Sequence, residues 1–275
     1  MFCAPGVRNS NSITCYNKED LLLLIKAYNK NKNPSSHITT SKKSKKQLWL
    51  DLHEKMSKDC QNEWCWLEQD FIPSSYSRKL QENFKPTMPD EWKKNPFEWL
   101  SNVDIELVMK QYEKKFVNFL FLGVFPVDCP EEIQCELTNI QIETIINKLG
   151  KTRLGIVYNL DKHNQPGSHW VSVYIDCKKG VIMYFDSNGI EPPILIHNFL
   201  LKIQKQLQEY YTTFIQSEKK VEVFINTTQF QFGNSECGVF SMNFIISHLQ
   251  GKNISKKNTN DETMNELRKK YYKPK

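Results

Sequence analysis

The chain contains no Cys-x-x-Cys pair and no paired histidine spacing, although it carries eight cysteines, at positions 3, 15, 60, 65, 129, 135, 177 and 237. A tetrahedral zinc site takes its ligands from such pairs, so no metal is expected, and no cofactor either. Long hydrophobic runs are also missing. The longest nearly apolar stretch, from Val117 to Val127, is broken by Asn118 and Gly123 and is far too short to span a bilayer. Phe2-Cys3-Ala4-Pro5-Gly6 has neither a basic start nor an apolar run behind it, which argues against a secretory leader. Reduced thiols and an intracellular, non-membrane setting are therefore the expectation.

Acidic residues are absent from Leu21 to Leu50, where seven lysines (26, 30, 32, 42, 43, 45 and 46) give a formal charge of +7 against +6 for the whole chain. Leu21-Leu22-Leu23-Leu24-Ile25 begins a helix behind Lys18-Glu19-Asp20, and a second helix is expected over Gln47 to Lys58. Between them, Ser41-Lys42-Lys43-Ser44-Lys45-Lys46 reads as a solvated loop. Lys42, Lys43, Lys45 and Lys46 could meet nucleic acid or another anionic partner, or simply form a soluble face. Trp64-Cys65-Trp66-Leu67 is expected to pack against the domain that follows, and Pro86, Pro89 and Pro96 mark a linker into it. The chain thus divides into a mainly helical, lysine-rich arm, residues 1–90, and a larger domain, residues 91–275.

Helical and strand periodicities alternate in the larger domain. Ser101 or Asn102 caps a helix whose stripe is Ile105, Val108, Met109, Tyr112 and Phe116. Phe119-Leu120-Phe121-Leu122 continues apolar behind it. Ile142, Ile145, Ile146 and Leu149 mark another helix, ended by Gly150. Arg153 to Leu160 is a buried strand. Pro192 and Pro193 open a helix with Ile196, Phe199, Leu200, Ile203 and Leu207 on one face, and Glu222 to Thr227 alternates as a strand does. An α+β fold with a small central mixed sheet flanked by helices follows.

Chemistry concentrates in two places. Cys237-Gly238 opens a mostly apolar helix that runs to Leu249, and a thiol at a helix N-terminus sits where negative charge is favoured. Upstream, Trp170 to Ile175 and Val181 to Phe185 are β-rich runs separated by the turn-like Asp176-Cys177-Lys178-Lys179-Gly180. A hairpin with a two- or four-residue loop sets position 169 opposite 188 or 190. Asp186 then lies on the same face as His169, within about 5–8 Å. A carboxylate that orients an imidazole, which in turn activates a thiol, is a catalytic triad. Asn188 shares that face and is the alternative orienter.

The order His169-Trp170, Phe185-Asp186-Ser187, Gln231 and Cys237-Gly238 resembles the cysteine peptidase clan of the adenovirus maturation protease and the ubiquitin-like-protein (SUMO) proteases. That clan also includes the African swine fever virus polyprotein protease. The resemblance implies that Cys237 is the nucleophile, His169 its base and later acid, and Asp186 the orienter. It implies that the Gln231 side chain donates to the oxyanion, with Gln229 near enough to compete for that assignment. Glu98-Trp99-Leu100-Ser101-Asn102 is similar to the Trp-Leu-Asn-Asp element of SUMO-type proteases, with Asn102 standing where an Asp is usual. By the same resemblance, Trp99 and Trp170 line a narrow tunnel that admits only glycine before the scissile bond. The implied activity is a cysteine endopeptidase cutting after glycine in Gly-Gly or Gly-x-Gly contexts. Its substrates would be viral structural precursors during virion maturation. A deubiquitinase or SUMO-type isopeptidase, an acetyltransferase with the same triad, and an inactive binding module remain open. Richness in Lys, Asn and Ile suggests an AT-rich genome and, with the resemblance, a large DNA virus. The expected setting is the host cytoplasm or the virion.

Overall fold

The structure is a computed structural model that describes residues 2–7, 12–95, 97–252, 254 and 258–275. Pro96 of the linker motif lies outside the described residues. The chain divides into two compact units, Met1–Thr87 with Tyr272–Lys275, and Met88–Tyr271.

The first unit is built from α1 (Lys18–Lys30), α2 (Lys45–Met56) and α3 (Ser74–Gln81). Asn17 caps α1 in a reciprocal capping box with Asp20, which satisfies two N–H groups that no helical carbonyl reaches. Ser44 caps α2, so Lys45 and Lys46 belong to the first turn of that helix rather than to a loop. Leu21, Leu24, Ile25, Leu48 and Leu52 close a core around Tyr16, Trp66 and Phe84. Trp66 stacks on Tyr16, and Trp64 meets Phe2 and Phe84 edge-on. The tryptophan segment expected to pack against the larger domain therefore completes the core of its own unit. That core needs flat rings, because its short helices alone offer few apolar side chains.

Six of the eight cysteines are paired, as Cys3–Cys15, Cys60–Cys65 and Cys129–Cys135, which corrects the expectation of reduced thiols. The physical reason is local. Turns between the partners bring their Cα atoms to 5.2, 5.5 and 6.1 Å, within the range a disulfide spans. Cys177 and Cys237 are free and buried.

The second unit begins with α4 (Glu91–Lys94) and α5 (Asn102–Lys115), capped by Ser101 with Asp104 closing the capping box. The apolar run after α5 is strand β1 (Phe119–Pro126). There follow α6 (Ile142–Leu149), β2 (Arg153–Asn159), β3 (Trp170–Asp176), β4 (Val181–Phe185), α7 (Ile194–Tyr210), β5 (Glu222–Ile225), α8 (Cys237–Leu249) and α9 (Asp261–Tyr271). Gly150 stops α6 in the left-handed conformation.

The strands form one mixed sheet in the order β1-β2-β3-β4-β5, with β2-β3-β4 antiparallel and both outer pairs parallel. Leu154, Ile156, Val171, Val173 and Ile182 face α6 and α7 in one apolar layer. On the opposite face α8 lies against β3 and β2, and Phe244 stacks on Phe185 with ring centroids 4.6 Å apart. A helix buried against a sheet has little freedom to shift, because the interior is close-packed. That fixes where its first residue stands.

Candidate active site

Cys237 is the first residue of α8, and Glu236 before it provides no side-chain cap. The first-turn N–H groups and the positive end of the helix therefore favour negative charge on the sulfur. Gly238 keeps this end of the helix close to its neighbours. A Cβ there would stand 3.1 Å from Leu100 Cδ1 and 3.2 Å from Trp170 Cδ1.

His169 comes from the loop that leads into β3. Asn159 Oδ1 accepts from the Asp161 and Ser168 N–H groups, and the Asp161 carboxylate accepts from the Gly167 N–H and the Ser168 hydroxyl. These bonds close the loop on itself and fix its exit. The β3–β4 pairing runs Asp176↔Val181 to Ser172↔Phe185, so four residues form the hairpin loop and position 169 falls opposite 188.

Asp186, fully buried at the end of β4, places Oδ1 2.7 Å from His169 Nε2. The same Oδ1 accepts the Asn188 N–H at 2.7 Å, and the Asp186 carbonyl accepts from Asn226 Nδ2 at 2.7 Å. Its other carboxylate oxygen has no hydrogen-bond partner among the described residues. Asn188 Nδ2 lies 3.4 Å from the same imidazole nitrogen. A nitrogen that donates its proton to Asp186 cannot also accept one from Asn188, so the ring is aligned by the carboxylate.

With Nε2 turned to Asp186, the other ring nitrogen is left for Cys237, whose thiol acts on the imidazole. Burial works to strip the proton from His169. The hydrogen bonds and negative charge of Asp186 and Cys237 outweigh it, and the imidazole pKa is raised to about 9. An imidazolium beside a sulfur anion is the pairing that nucleophilic thiol chemistry needs. Cys177 is the other free thiol. Burial, aided by the charge of Asp176, pushes it up to about 12.

Gln231 is buried on the loop before α8. The Ser187 hydroxyl donates to its Oε1 at 2.7 Å, and its Nε2 donates to the Gly233 carbonyl at 2.9 Å. The amide orientation is thus fixed, and one of its two N–H bonds remains for another acceptor. Gln229 is exposed, and its amide donates to the Gln231 carbonyl. Ser187 as the hydroxyl that holds Gln231 was not anticipated from the sequence. Nothing in a Ser between an Asp and an Asn signals a partner 44 residues away.

Trp170 is 7% exposed and donates its indole N–H to the Leu100 carbonyl at 3.0 Å, whereas Trp99 is 41% exposed. Both rings line one cavity of about 490 Å³, together with Asn102, Phe125, Asn159 and Gln165. Its walls come from the Trp99 segment, the end of β1 and the loop that carries His169.

Comparison with known proteins shows the family and the fold. Residues 159–275 match the Ulp1 protease family, C-terminal catalytic domain. A protein of Acanthamoeba polyphaga mimivirus, named as a thiol protease, is 31% identical over 287 residues, spanning 98% of this chain and 93% of its own length. The cysteine protease of African swine fever virus is 23% identical over 241 residues, spanning 78% of this chain and 84% of its own. The crystal structure of an African swine fever virus protease shares the fold, with a TM-score of 0.72 at 19% identity over 100% of this chain and 96% of that one. The chain therefore belongs to the Ulp1 protease family and is a cysteine peptidase of the viral, SUMO-protease-like kind.

Proposed function

We propose that the protein is a cysteine endopeptidase that cuts after glycine, in Gly-Gly or Gly-x-Gly contexts, and processes viral structural precursors during virion maturation. It acts in the host cytoplasm or the virion. The observation that carries the reading is the imidazole of His169 bonded to the buried Asp186 carboxylate at 2.7 Å, with its electrostatics coupled to Cys237 at the head of α8. In this mechanism the Cys237 sulfur attacks the glycine carbonyl carbon, and the carbonyl oxygen takes up the negative charge. The free N–H of Gln231 donates to that oxygen, a contribution worth roughly 3–4 kcal/mol in comparable sites. His169 then gives its proton to the leaving amine, and the C–N bond breaks to leave a thioester on Cys237. His169 next takes a proton from water, the resulting hydroxide displaces the sulfur, and the acid product departs.

Glycine selectivity draws on Trp99 and Trp170 lining one cavity, and it requires their rings to close over the substrate backbone so that no Cβ fits between them. The same feature suits the glycine-ended tail of a ubiquitin-like protein, so an isopeptidase acting on such conjugates is the second reading. Hydrolysis of a glycine-ended peptide amide, lost on Cys237→Ala, is the test of peptidase chemistry. Acetyl-CoA-dependent labelling of a protein without cleavage would replace it with acetyl transfer. Comparing a Gly-Gly precursor peptide with a ubiquitin-like conjugate separates the two peptidase readings. Faster cleavage of the precursor peptide is expected.

A further inference from the structure

Helix α9 lies outside the residues that carry the chemistry, yet it holds the loop that carries Gln231. Asp261, in its first turn, accepts two backbone N–H groups on one carboxylate oxygen, from Phe232 at 2.9 Å and from Gly233 at 3.1 Å. The carbonyl of that same Gly233 receives the Gln231 amide. Gly233 also lies against the side chains of Glu236 and Asp261. A Cβ built on it would stand 2.7 Å from Glu236 Oε2 and 3.6 Å from Asp261 Cγ. Seven residues further along α9, the Arg268 guanidinium donates to the Glu98 carbonyl, next to Trp99, and stacks over the Trp92 ring at 4.0 Å. One helix thus reaches both the nucleophile loop and the Trp99 segment.

We propose that Asp261 is a positioning residue for peptide hydrolysis. Through Gly233 it fixes the Gln231 amide so that its remaining N–H meets the oxyanion. The inference rests on the reading of Gln231 as the oxyanion donor. Ser187 fixes the oxygen end of that amide, and Asp261 governs the nitrogen end through a single residue, Gly233. Without the carboxylate, two N–H groups lose their acceptor and the loop relaxes away from the geometry that the transition state requires. The nucleophile itself is untouched, because Cys237 is set by α8 and His169.

The test compares wild type, Asp261→Ala and Asp261→Asn in two assays, with melting temperatures recorded for each. One assay is steady-state hydrolysis of a glycine-ended peptide amide, and the other is the rate of Cys237 alkylation by iodoacetamide. For Asp261→Ala, kcat is expected to fall about 10- to 100-fold, the scale of a misplaced catalytic group, with KM little changed. Alkylation of Cys237 should stay at the wild-type rate. Asp261→Asn should recover most of the lost turnover, because its amide oxygen still accepts both N–H groups. Unchanged kcat in Asp261→Ala would overturn the proposal. So would a joint loss of kcat and alkylation that Asp261→Asn does not restore, which would make Asp261 a support of the fold. A wild-type enzyme that alkylates at Cys237 but does not cut the peptide would overturn the peptidase reading first, and this inference with it.

Discussion

The two units close their cores by different means, and the difference explains which of them carries chemistry. Residues 1–87 assemble from helices around an aromatic core of Tyr16, Trp66 and Phe84, with disulfides between cysteines 12 and 5 residues apart. Residues 88–271 are organised by a sheet, whose pairings join segments far apart along the chain. The hydrogen bond from His169 to Asp186 spans 17 residues and that from Ser187 to Gln231 spans 44. Groups that must meet within a fraction of an ångström are best held by such long-range pairing, because each strand and helix is fixed by several others. None of the candidate catalytic residues lies in the first unit. The first unit instead carries the lysines of the first turn of α2.

If that division is right, substitutions in the second unit should damage cleavage of every substrate, and those on the lysine surface only cleavage of large ones. The largest loss after those of the nucleophile and its base should follow Asp186→Ala. Removing the carboxylate orienter of a triad costs up to about 10⁴-fold in kcat, since an imidazolium then lacks its counter-charge. Asn188→Ala should cost far less, because its amide lies 3.4 Å from a ring nitrogen already committed to Asp186 at 2.7 Å. Turnover measured on both variants decides the ranking. The reverse order would assign the orienting role to Asn188.

The pH profile sharpens the same point. His169 holds its proton up to about 9, and the proton is needed by the leaving amine. Cleavage limited by that step should therefore fall as pH rises through about 9. Asp186 raises this pKa, so Asp186→Asn should move the alkaline limb to lower pH. An unmoved limb would show that another group controls it.

A smaller, more selective effect is expected at the tunnel. Replacing the glycine before the cut by alanine should abolish cleavage by the wild type, because a methyl group must fit between two rings. Trp99→Ala should restore part of it, and its greater exposure makes Trp99 the more replaceable wall. Equal cleavage after glycine and alanine by the wild type would remove the tunnel from the account.

The smallest effect should come from the first unit. Lys45 and Lys46 sit in the first turn of α2 without an acidic neighbour there, which the helix dipole disfavours. Lys43 is paired with Asp51 at 2.7 Å, so the cluster presents less free charge than its composition suggests. Replacing Lys42, Lys43, Lys45 and Lys46 with Gln should weaken engagement of a large anionic substrate and flatten its salt dependence. Cleavage of a short glycine peptide should remain near wild type. Equal losses on both substrates would mean that the first unit supports the catalytic fold.

The sequence revealed what is written locally. The helix that opens at Cys237, the hairpin between Trp170 and Phe185, and the strand over Arg153 to Leu160 each carry their own periodicity and turn chemistry. The structure brings their ends together as the hairpin register implies. What depends on distant partners stayed hidden. Phe119 to Pro126 is a strand because β2 lies beside it, yet a short apolar run behind a helix carries no period of its own. The three disulfides depend on turns that bend each pair of cysteines together. Trp64 and Trp66 read as needing an outside surface, because the core around Tyr16 and Phe84 forms only on folding. Asp261 and Ser187 show no motif, since each acts on a loop reached only through the tertiary fold.

The most direct test of the central claim is mass-spectrometric mapping of adducts after reaction with a glycine-ended electrophilic probe that traps the acyl-enzyme. A single adduct on Cys237 is expected in the wild type, with Cys177 unmodified and labelling lost in His169→Ala. An adduct on Cys177, or undiminished labelling of Cys237 in His169→Ala, would contradict the account.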